Sequence, residues 1–312
     1  MLSDLAPKQV SKVAIFFRLT RAQFIPLIIL PSLAGAAFAY FATQRLSIGF
    51  LVITVIGVVL LHLGANSIDD CYDYQNGVDR IANEMFPPNF GGWKPLPRGL
   101  INLRSAKAVS YLLFVASLSC AIYFTFVVGY WAILFGISGV LLAIFYTAPP
   151  LKLDYRGYGL GELAILLAFG PIPMLGSYYV QTGALSLSAL FVSIPIGIMT
   201  VTILIDHDLI FYEVYLKAGK MSLATVLGRK RALKASLVLT LFSYGATIAL
   251  ALIRFLPIQA LAAPILSGLL LARRGSTYAH SNEPPPYYLP FTVNGMLANW
   301  TFSLVLAIAL LV

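Results

Sequence analysis

The sequence predicts an all-helical protein that crosses a membrane about nine times. Of its 312 residues, 59% are hydrophobic and only 11% are charged, whereas soluble domains carry roughly a quarter charged residues. Apolar stretches of the length that spans a bilayer, about 20 residues, recur along the chain between polar connections. One water-soluble core cannot bury this much apolar surface, so lipid must cover part of it.

Nine segments have the length and composition of a spanning helix. They are residues 22–43, 47–66, 106–126, 128–147, 161–181, 187–206, 233–253, 255–272 and 292–312. The connections after the first, third, fifth and seventh segments are short, whereas those after the second, fourth, sixth and eighth are long and polar. This alternation places all the long connections on one side of the membrane. We expect residues 1–312 to form a single integral-membrane domain.

The basic residues support the same topology. All but Arg45 and Arg254 of the 21 lysines and arginines lie in the N-terminal arm or in and beside the long connections. Positively charged loops remain in the cytoplasm. We therefore expect an integral protein of the cell membrane with a cytoplasmic N terminus and an external C terminus. The same bias accounts for the net charge of +9, so no nucleic-acid partner is predicted.

Acidic residues gather on the predicted cytoplasmic side, most densely where the second segment ends. If the helix continues there, Asn66, Asp70 and Asp73 lie on one face, and Asp69 lies one turn before Asp73. Like charges packed together are costly without a cation, and carboxylate oxygens suit Mg²⁺. The pattern predicts a magnesium site at the membrane boundary; the alternative is a solvated helix end.

A second acidic cluster lies at the end of the sixth segment and contains Asp206, Asp208 and Glu213. Both clusters end even-numbered segments, four helices apart, as in a duplicated unit whose halves face each other. Opposed carboxylates that hold Mg²⁺ suit a diphosphate, because the metal neutralises the leaving group as its bond to carbon breaks.

Basic side chains occur in two loops rich in glycine and proline. Lys94 and Arg98 follow the second segment, and Lys152 and Arg156 follow the fourth. They supply cations beside the predicted anion site, although each loop could equally serve as an interfacial anchor. The sequence contains no P-loop, no dinucleotide-binding glycine pattern and no histidines at zinc spacing.

These motifs resemble the UbiA superfamily of intramembrane prenyltransferases, most of all its 1,4-dihydroxy-2-naphthoate polyprenyltransferases of menaquinone synthesis. The similarity is most specific in residues 69–79, 96–100, 146–152, 159–163 and 217–220. It implies a UbiA-type helical bundle in a lipid bilayer. The implied activity is Mg²⁺-dependent transfer of a polyprenyl group from an allylic diphosphate to an aromatic acceptor, a naphthoate or hydroxybenzoate, at the cytoplasmic face.

The resemblance also implies roles for individual residues. The first Asn/Asp-rich motif corresponds to Asn66, Asp70 and Asp73, the diphosphate-binding pair to Tyr146 and Lys152, and an arginine near the same pocket to Arg21. The expected catalytic residues are Asp70, Asp73 and Asp208. The expected metal ligands are Asp69, Asp70, Asp73, Asp206 and Asp208. The expected substrate-binding residues are Asn66, Arg21, Lys94, Arg98, Tyr146, Lys152 and Arg156.

The second motif departs from the family pattern. Phe211 and Tyr215 stand where two aspartates, four residues apart, are usual. Asp208 lies one turn before Phe211 and can reach the same helical face. Either the second set of metal ligands is rebuilt from Asp208 and a neighbour, or metal binding is weaker.

Three other functions stay open. Prenyl transfer to a glycerol phosphate uses the same chemistry. A non-catalytic relative that binds isoprenoid diphosphates would fit the altered second motif. A transporter would carry charges near the middle of its spans, and the clustering of acids at the predicted helix ends disfavours it.

Overall fold

The protein was analysed as a computed structural model, which describes residues 10–86, 94–271 and 288–312. Every named element in these ranges is a helix, and this confirms the predicted all-α class. Short 3₁₀ turns cover Ala22–Phe24, Leu153–Tyr155 and Ile258–Leu261. The helices are α1 (Lys12–Leu19), α2 (Pro26–Thr43), α3 (Ile48–Gln75), α4 (Val78–Met85), α5 (Leu103–Val127), α6 (Trp131–Thr147), α7 (Leu160–Phe169), α8 (Pro171–Thr182), α9 (Leu187–Ile210), α10 (Tyr212–Ala218), α11 (Leu223–Leu227), α12 (Arg229–Leu252), α13 (Ala262–Leu271) and α14 (Tyr288–Ala309).

Seven helical segments of the described chain are long and apolar enough to cross a membrane, with α7 and α8 counted as one. The other two predicted segments fall on shorter apolar helices, Trp131–Thr147 and Ile258–Leu271. Residue 272, the predicted end of the eighth segment, lies outside the described residues. The structure thus confirms a polytopic helical architecture but does not confirm nine as the number of spans.

The predicted fifth span, 161–181, is broken at Gly170, where α7 ends and α8 begins with Pro171. A Cβ atom on Gly170 would lie 2.7 Å from the carbonyl oxygen of Ser193 and 2.9 Å from Cα of Gly197 on α9. The backbones can approach this closely only because residue 170 has no Cβ atom. The break therefore lets α7 and α8 pack against α9.

The centre of the fold is formed by α2 and α9. Their apolar windows are 61% and 72% buried, against 22% for α3 and for α5, which identifies α3 and α5 as peripheral. Helix α9 contacts α2, α7, α8, α12 and α14. Helices α2 and α8 approach so closely that a Cβ atom on Gly35 would lie 2.2 Å from the carbonyl oxygen of Met174.

Helix α3 extends more than two turns beyond residue 66, where its apolar segment was predicted to end. The continuation to Gln75 places Asn66, Asp69, Asp70 and Asp73 on one helix. Hydropathy alone predicts that the helix ends at the first acidic residues. It cannot show that basic side chains elsewhere in the chain neutralise these acids.

Candidate active site

Five charged side chains alternate in sign at the end of α3. Nη2 of Arg21 lies 3.0 Å from Oδ2 of Asp69 and also contacts Asp70. Nζ of Lys94 lies 3.1 Å from Oδ1 of Asp70 and 2.6 Å from Oδ1 of Asp79. Asp70 and Asp79 are buried. Each cation thus bridges two carboxylates, which offsets part of the cost of removing those carboxylates from water.

Lys220 joins α3 to the loop between α6 and α7. Its Nζ lies 2.5 Å from Oδ2 of Asp154 and 3.6 Å from Oδ1 of Asp73. The hydroxyl of Tyr155 donates a 2.6 Å hydrogen bond to the same oxygen of Asp73. The ammonium also lies over the Tyr155 ring, 4.9 Å from its centroid, a cation–π contact. Because Lys220 is only 3% exposed, these partners replace its lost water.

Three basic side chains, those of Arg21, Lys94 and Lys220, belong to this site. Local backbone turns direct Arg21 and Lys220 into it. Arg21 has a left-handed backbone (φ 47°) in the turn after α1, and Nδ2 of Asn66 donates to the carbonyl oxygen of Thr20 beside it, at 3.1 Å. Lys220 follows Gly219, whose left-handed conformation (φ 69°) ends α10, as is common at helix C termini. The helix ends therefore position both side chains.

The three cations remain protonated. Burial opposes their charge, but neighbouring carboxylates outweigh it and raise the pKa of each above its ordinary value. For Arg21 and Lys94 the strongest of these carboxylates is Asp70. For Lys220 it is Asp154, and its pKa is raised well above the usual range.

Asp208 joins the group from α9. It is 1% exposed, and its carboxylate interacts electrostatically with Lys220 and with Asp73. Asp208 thus links the second acidic cluster electrostatically to the first.

Asp206 and Glu213 each have a partner of their own. Asp206 is two residues from Asp208, so the two side chains leave α9 on different faces. Its Oδ1 accepts a 2.7 Å hydrogen bond from Ser236 of α12. Glu213 is partly exposed and pairs with Arg229 at 2.8 Å. The role of Asp206 as a metal ligand stays a prediction.

Two predicted diphosphate contacts, Tyr146 and Lys152, lie beside the group. The Tyr146 hydroxyl is buried and has no hydrogen-bond partner in the ranges that the structure describes; it is within electrostatic reach of Asp154 and Lys220. Nζ of Lys152 donates to Oδ1 of Asn76, directly after α3, at 2.9 Å. Both are therefore available at the edge of the site.

Arg98 and Arg156 are exposed. Arg156 donates to the carbonyl oxygens of Pro150 and Leu151, at 2.9 Å each, and so stabilises its own loop. The structure does not bring Arg156 into the charged group.

Four residues of this group were absent from the predicted site: Asp79, Asp154, Tyr155 and Lys220. Asp79 and Lys220 lay inside the motifs that carried the resemblance, and Asp154 and Tyr155 lie between the predicted Lys152 and Arg156. Their positions inside or between these motifs were the only indication in the sequence that they belong to the site. From sequence, a loop acid that is buried in the site looks the same as one that faces solvent.

The carboxylates fit Mg²⁺ if the substrate supplies some of the metal ligands. In the described ranges, no three Asp, Glu, His or Cys residues are close enough to hold a metal by themselves. Buried oxygens of Asp69, Asp79, Asp154 and Asp208 have no hydrogen-bond partner in those ranges. Mg²⁺ commonly uses one or two carboxylates together with water and substrate phosphates. The residues therefore fit metal ions that a phosphate-bearing substrate would help to hold.

An apolar cavity of about 100 Å³ lies between α2, α3, α5, α6, α7 and α8. Its α3 side includes Gly57 and Leu61. Asp69 is eight residues beyond Leu61, about 12 Å along the helix axis. One helix thus connects the apolar cavity to the charged group.

Comparison with known proteins gives a family match over most of the chain. The model of the UbiA prenyltransferase family matches residues 28–299. The 1,4-dihydroxy-2-naphthoate octaprenyltransferase of Bacillus subtilis is 25% identical over 228 residues, which are 73% of this chain and 70% of that protein. The protein of the same name from Haemophilus influenzae is 28% identical over 226 residues, 70% of each chain.

A solved structure shares the fold. The UbiA homolog from Archaeoglobus fulgidus bound to DMAPP and Mg²⁺ has a TM-score of 0.64 at 18% identity, covering 93% of this chain and 98% of that one. Together with the family match, it confirms the resemblance, the UbiA-type helical fold and the predicted class of enzyme, a transferase of prenyl groups. The chain is an integral membrane protein that belongs to the UbiA prenyltransferase family.

Proposed function

We propose that this protein transfers a polyprenyl group from an allylic diphosphate to an aromatic acceptor, with Mg²⁺ as cofactor. The observation that carries the proposal is the pairing of Arg21, Lys94 and Lys220 with buried carboxylates around the end of α3. A site that holds both kinds of charge suits a diphosphate with its metal ions. Basic side chains contact phosphate oxygens, and carboxylates hold the metal.

The apolar cavity supports an isoprenoid as the transferred group. A prenyl chain needs an apolar environment next to its charged diphosphate, and α3 runs from one to the other. Burying the chain between helices also excludes water from the allylic carbon. The prenyl tail would lie against the cavity face of α3, around Gly57 and Leu61.

The proposed reaction separates charge within the site. When bound, Mg²⁺ neutralises charge on the diphosphate leaving group. Asp70, Asp73 and Asp208 would hold it, and Asp69 would share this role. Arg21 and Lys220 would contact the departing oxygens, where negative charge grows. The allylic C–O bond breaks with its electron pair on the diphosphate; a carbon of the acceptor then bonds to the allylic carbon and loses its proton.

The two bacterial relatives support a naphthoate as the acceptor, because both are named as 1,4-dihydroxy-2-naphthoate octaprenyltransferases. A hydroxybenzoate belongs to the same chemical class, an electron-rich aromatic ring that attacks a carbocation. Menaquinone synthesis is accordingly the process we propose.

We also propose that the N terminus and the active site face the cytoplasm and that the C terminus lies outside the cell membrane. The support is the positive-inside bias of the long connections. Arg21 and Lys94 are among the basic residues that predict the cytoplasmic side, and both also lie in the site. The site would therefore face the cytoplasm.

Product formation by purified protein tests this function. We would supply Mg²⁺, allylic diphosphates of several chain lengths, and naphthoate, hydroxybenzoate and glycerol phosphate acceptors, and identify products by mass spectrometry. The expected result is a prenylated naphthoate or hydroxybenzoate that disappears when EDTA removes the metal and returns with added Mg²⁺. Activity that persists in EDTA contradicts the proposed cofactor.

The same assay separates the alternatives. A prenylated glycerol phosphate with no aromatic product would assign the chain to lipid synthesis. Retained diphosphate binding with no product from any acceptor would identify a non-catalytic binding protein.

A further inference from the structure

One carboxylate oxygen at the end of α3 has two positively charged partners. Nη2 of Arg21 contacts Oδ1 of Asp70, and Nζ of Lys94 lies 3.1 Å from the same atom. Each cation also pairs with a second carboxylate. Arg21 lies 3.0 Å from Oδ2 of Asp69. Lys94 lies 2.6 Å from Oδ1 of Asp79. The five side chains thus form one row in which two cations alternate with three carboxylates.

The cations of this row are more exposed than the carboxylates that they join. The side chains of Arg21 and Lys94 are each 22% exposed. Those of Asp70 and Asp79 are each 2% exposed. A ligand that approaches from the exposed side therefore meets the guanidinium and ammonium groups first. This arrangement attracts an anion and repels a cation.

One apolar cluster positions the backbone beside both cations. Leu19 is two residues before Arg21, and Leu96 is two residues after Lys94. Both leucines are buried and belong to one cluster with Cys71 of α3. Packing in this cluster does not depend on the ion pairs. We therefore expect the segments to stay in place when one charge is removed.

The row conflicts with the metal-binding role proposed for Asp70. A carboxylate oxygen has about two lone pairs, and Oδ1 of Asp70 already pairs with two cations. A divalent cation at this oxygen would have to displace one of them and would lie beside like charges. A diphosphate removes the conflict, because its oxygens are strong partners for Arg21 and Lys94.

We propose that Arg21 and Lys94 keep divalent metal away from Asp70 until a diphosphate binds. In the substrate-free protein the two cations neutralise Asp70. When a diphosphate arrives, they pair with its oxygens, and the carboxylate becomes available to Mg²⁺. The diphosphate therefore binds before the metal or together with it. This inference rests on the proposed function and adds the order in which the ligands bind.

A purely structural role for Lys94 predicts a different change in metal affinity. In that role, Lys94 only holds the segment after α4 against α3. Its loss would lower stability and loosen the site, so metal affinity would fall or stay the same. In the proposed role, its loss removes a like charge beside Asp70, so metal affinity rises while diphosphate affinity falls.

Two single-ligand measurements on detergent-purified protein distinguish these roles. Mn²⁺ binding without diphosphate is followed by electron paramagnetic resonance, and pyrophosphate binding in EDTA is followed by calorimetry. Lys94→Gln should bind Mn²⁺ at least about fivefold more tightly than the unmodified protein, and pyrophosphate at least about fivefold more weakly, the lower end of the usual coupling between sites. Lys94→Arg, which keeps the charge, should show neither change.

Lys107→Gln is the matched control. Nζ of Lys107 lies 4.4 Å from the centroid of the Tyr72 ring on α3. The variant therefore removes an equal charge from beside the same helix without removing a member of the row. Both affinities should stay unchanged.

A folded Lys94→Gln variant with unchanged or lower Mn²⁺ affinity would overturn the inference, and so would an unchanged affinity for pyrophosphate. If that variant does not fold, the double variant Lys94→Gln/Asp79→Asn decides by the same criteria, because it removes the charge of Asp79 together with that of its partner. Unmodified protein that binds Mn²⁺ as tightly alone as with pyrophosphate overturns the inference as well.

Product formation by the unmodified protein is measured separately. If it makes product but Lys94→Gln gains no Mn²⁺ affinity, only this inference fails. If both affinities shift as expected and no acceptor yields a product, only the transfer reaction is rejected.

Discussion

The hydroxyl of Tyr155 donates a 2.6 Å hydrogen bond to Oδ1 of Asp73, a residue 82 positions earlier in the sequence. The bond connects the loop between α6 and α7 to the end of α3. Lys220 lies 3.6 Å from the same oxygen. Two separate parts of the chain thus orient the Asp73 carboxylate, as outer hydrogen bonds commonly orient metal-binding carboxylates.

Tyr155→Phe should lower kcat/KM for the allylic diphosphate by about tenfold, since a hydrogen bond to a charged group contributes about 1.5 kcal/mol. The ring and its contact with Lys220 remain. Steady-state kinetics at saturating acceptor measure the effect. Tyr158→Phe is the control in the same loop, because Tyr158 is 88% exposed. Equal losses in the two variants would contradict an orienting role for Tyr155.

Asp73→Ala should abolish Mg²⁺-dependent turnover. The substitution removes a carboxylate that two donors hold at the centre of the site, and no neighbour on α3 replaces it. Product formation is measured beside a thermal unfolding curve, which shows whether the variant is folded. Glu84→Ala is a suitable control, because Glu84 is exposed and pairs only loosely with Arg80, at 3.9 Å. Normal turnover in Asp73→Ala would eliminate the proposed site.

Asp208→Ala should reduce turnover far more than Glu213→Ala. Asp208 is buried and interacts electrostatically with Lys220, whereas Glu213 is partly exposed and pairs with Arg229. Turnover of both variants at saturating Mg²⁺ gives the comparison. Equal activities would mean that α9 contributes no carboxylate to the reaction.

Gly35→Ala should destabilise the protein by about 1–3 kcal/mol, the usual cost of overpacking. Its added methyl group would meet the backbone of Met174, which cannot move away as a flexible side chain can. Gly245→Ala on α12 has nothing within 4 Å of the new atom and should leave stability unchanged or raise it. Thermal unfolding in one detergent compares the two, and a Gly35 variant as stable as the Gly245 variant would contradict the close packing of α2 and α8.

Asp206 and Asp208 show where sequence reasoning reached its limit. Both acids stand at the end of one predicted segment, and hydropathy places them at the same depth. Their roles differ because they leave α9 on different faces, one toward Ser236 and the other toward Lys220. Only the packing of α12 and of the turn after α10 decides which face borders the site.

The sequence by itself determined the helical class, the positions of the apolar segments and the acidic face of α3. These follow from local properties: hydropathy over about 20 residues and the periodicity of a helix. Tertiary structure alone decided the break at Gly170 and the burial of Asp154 and Lys220 beside Asp73. Those features depend on contacts between residues far apart in the chain, whose free energy arises only when the helices pack together.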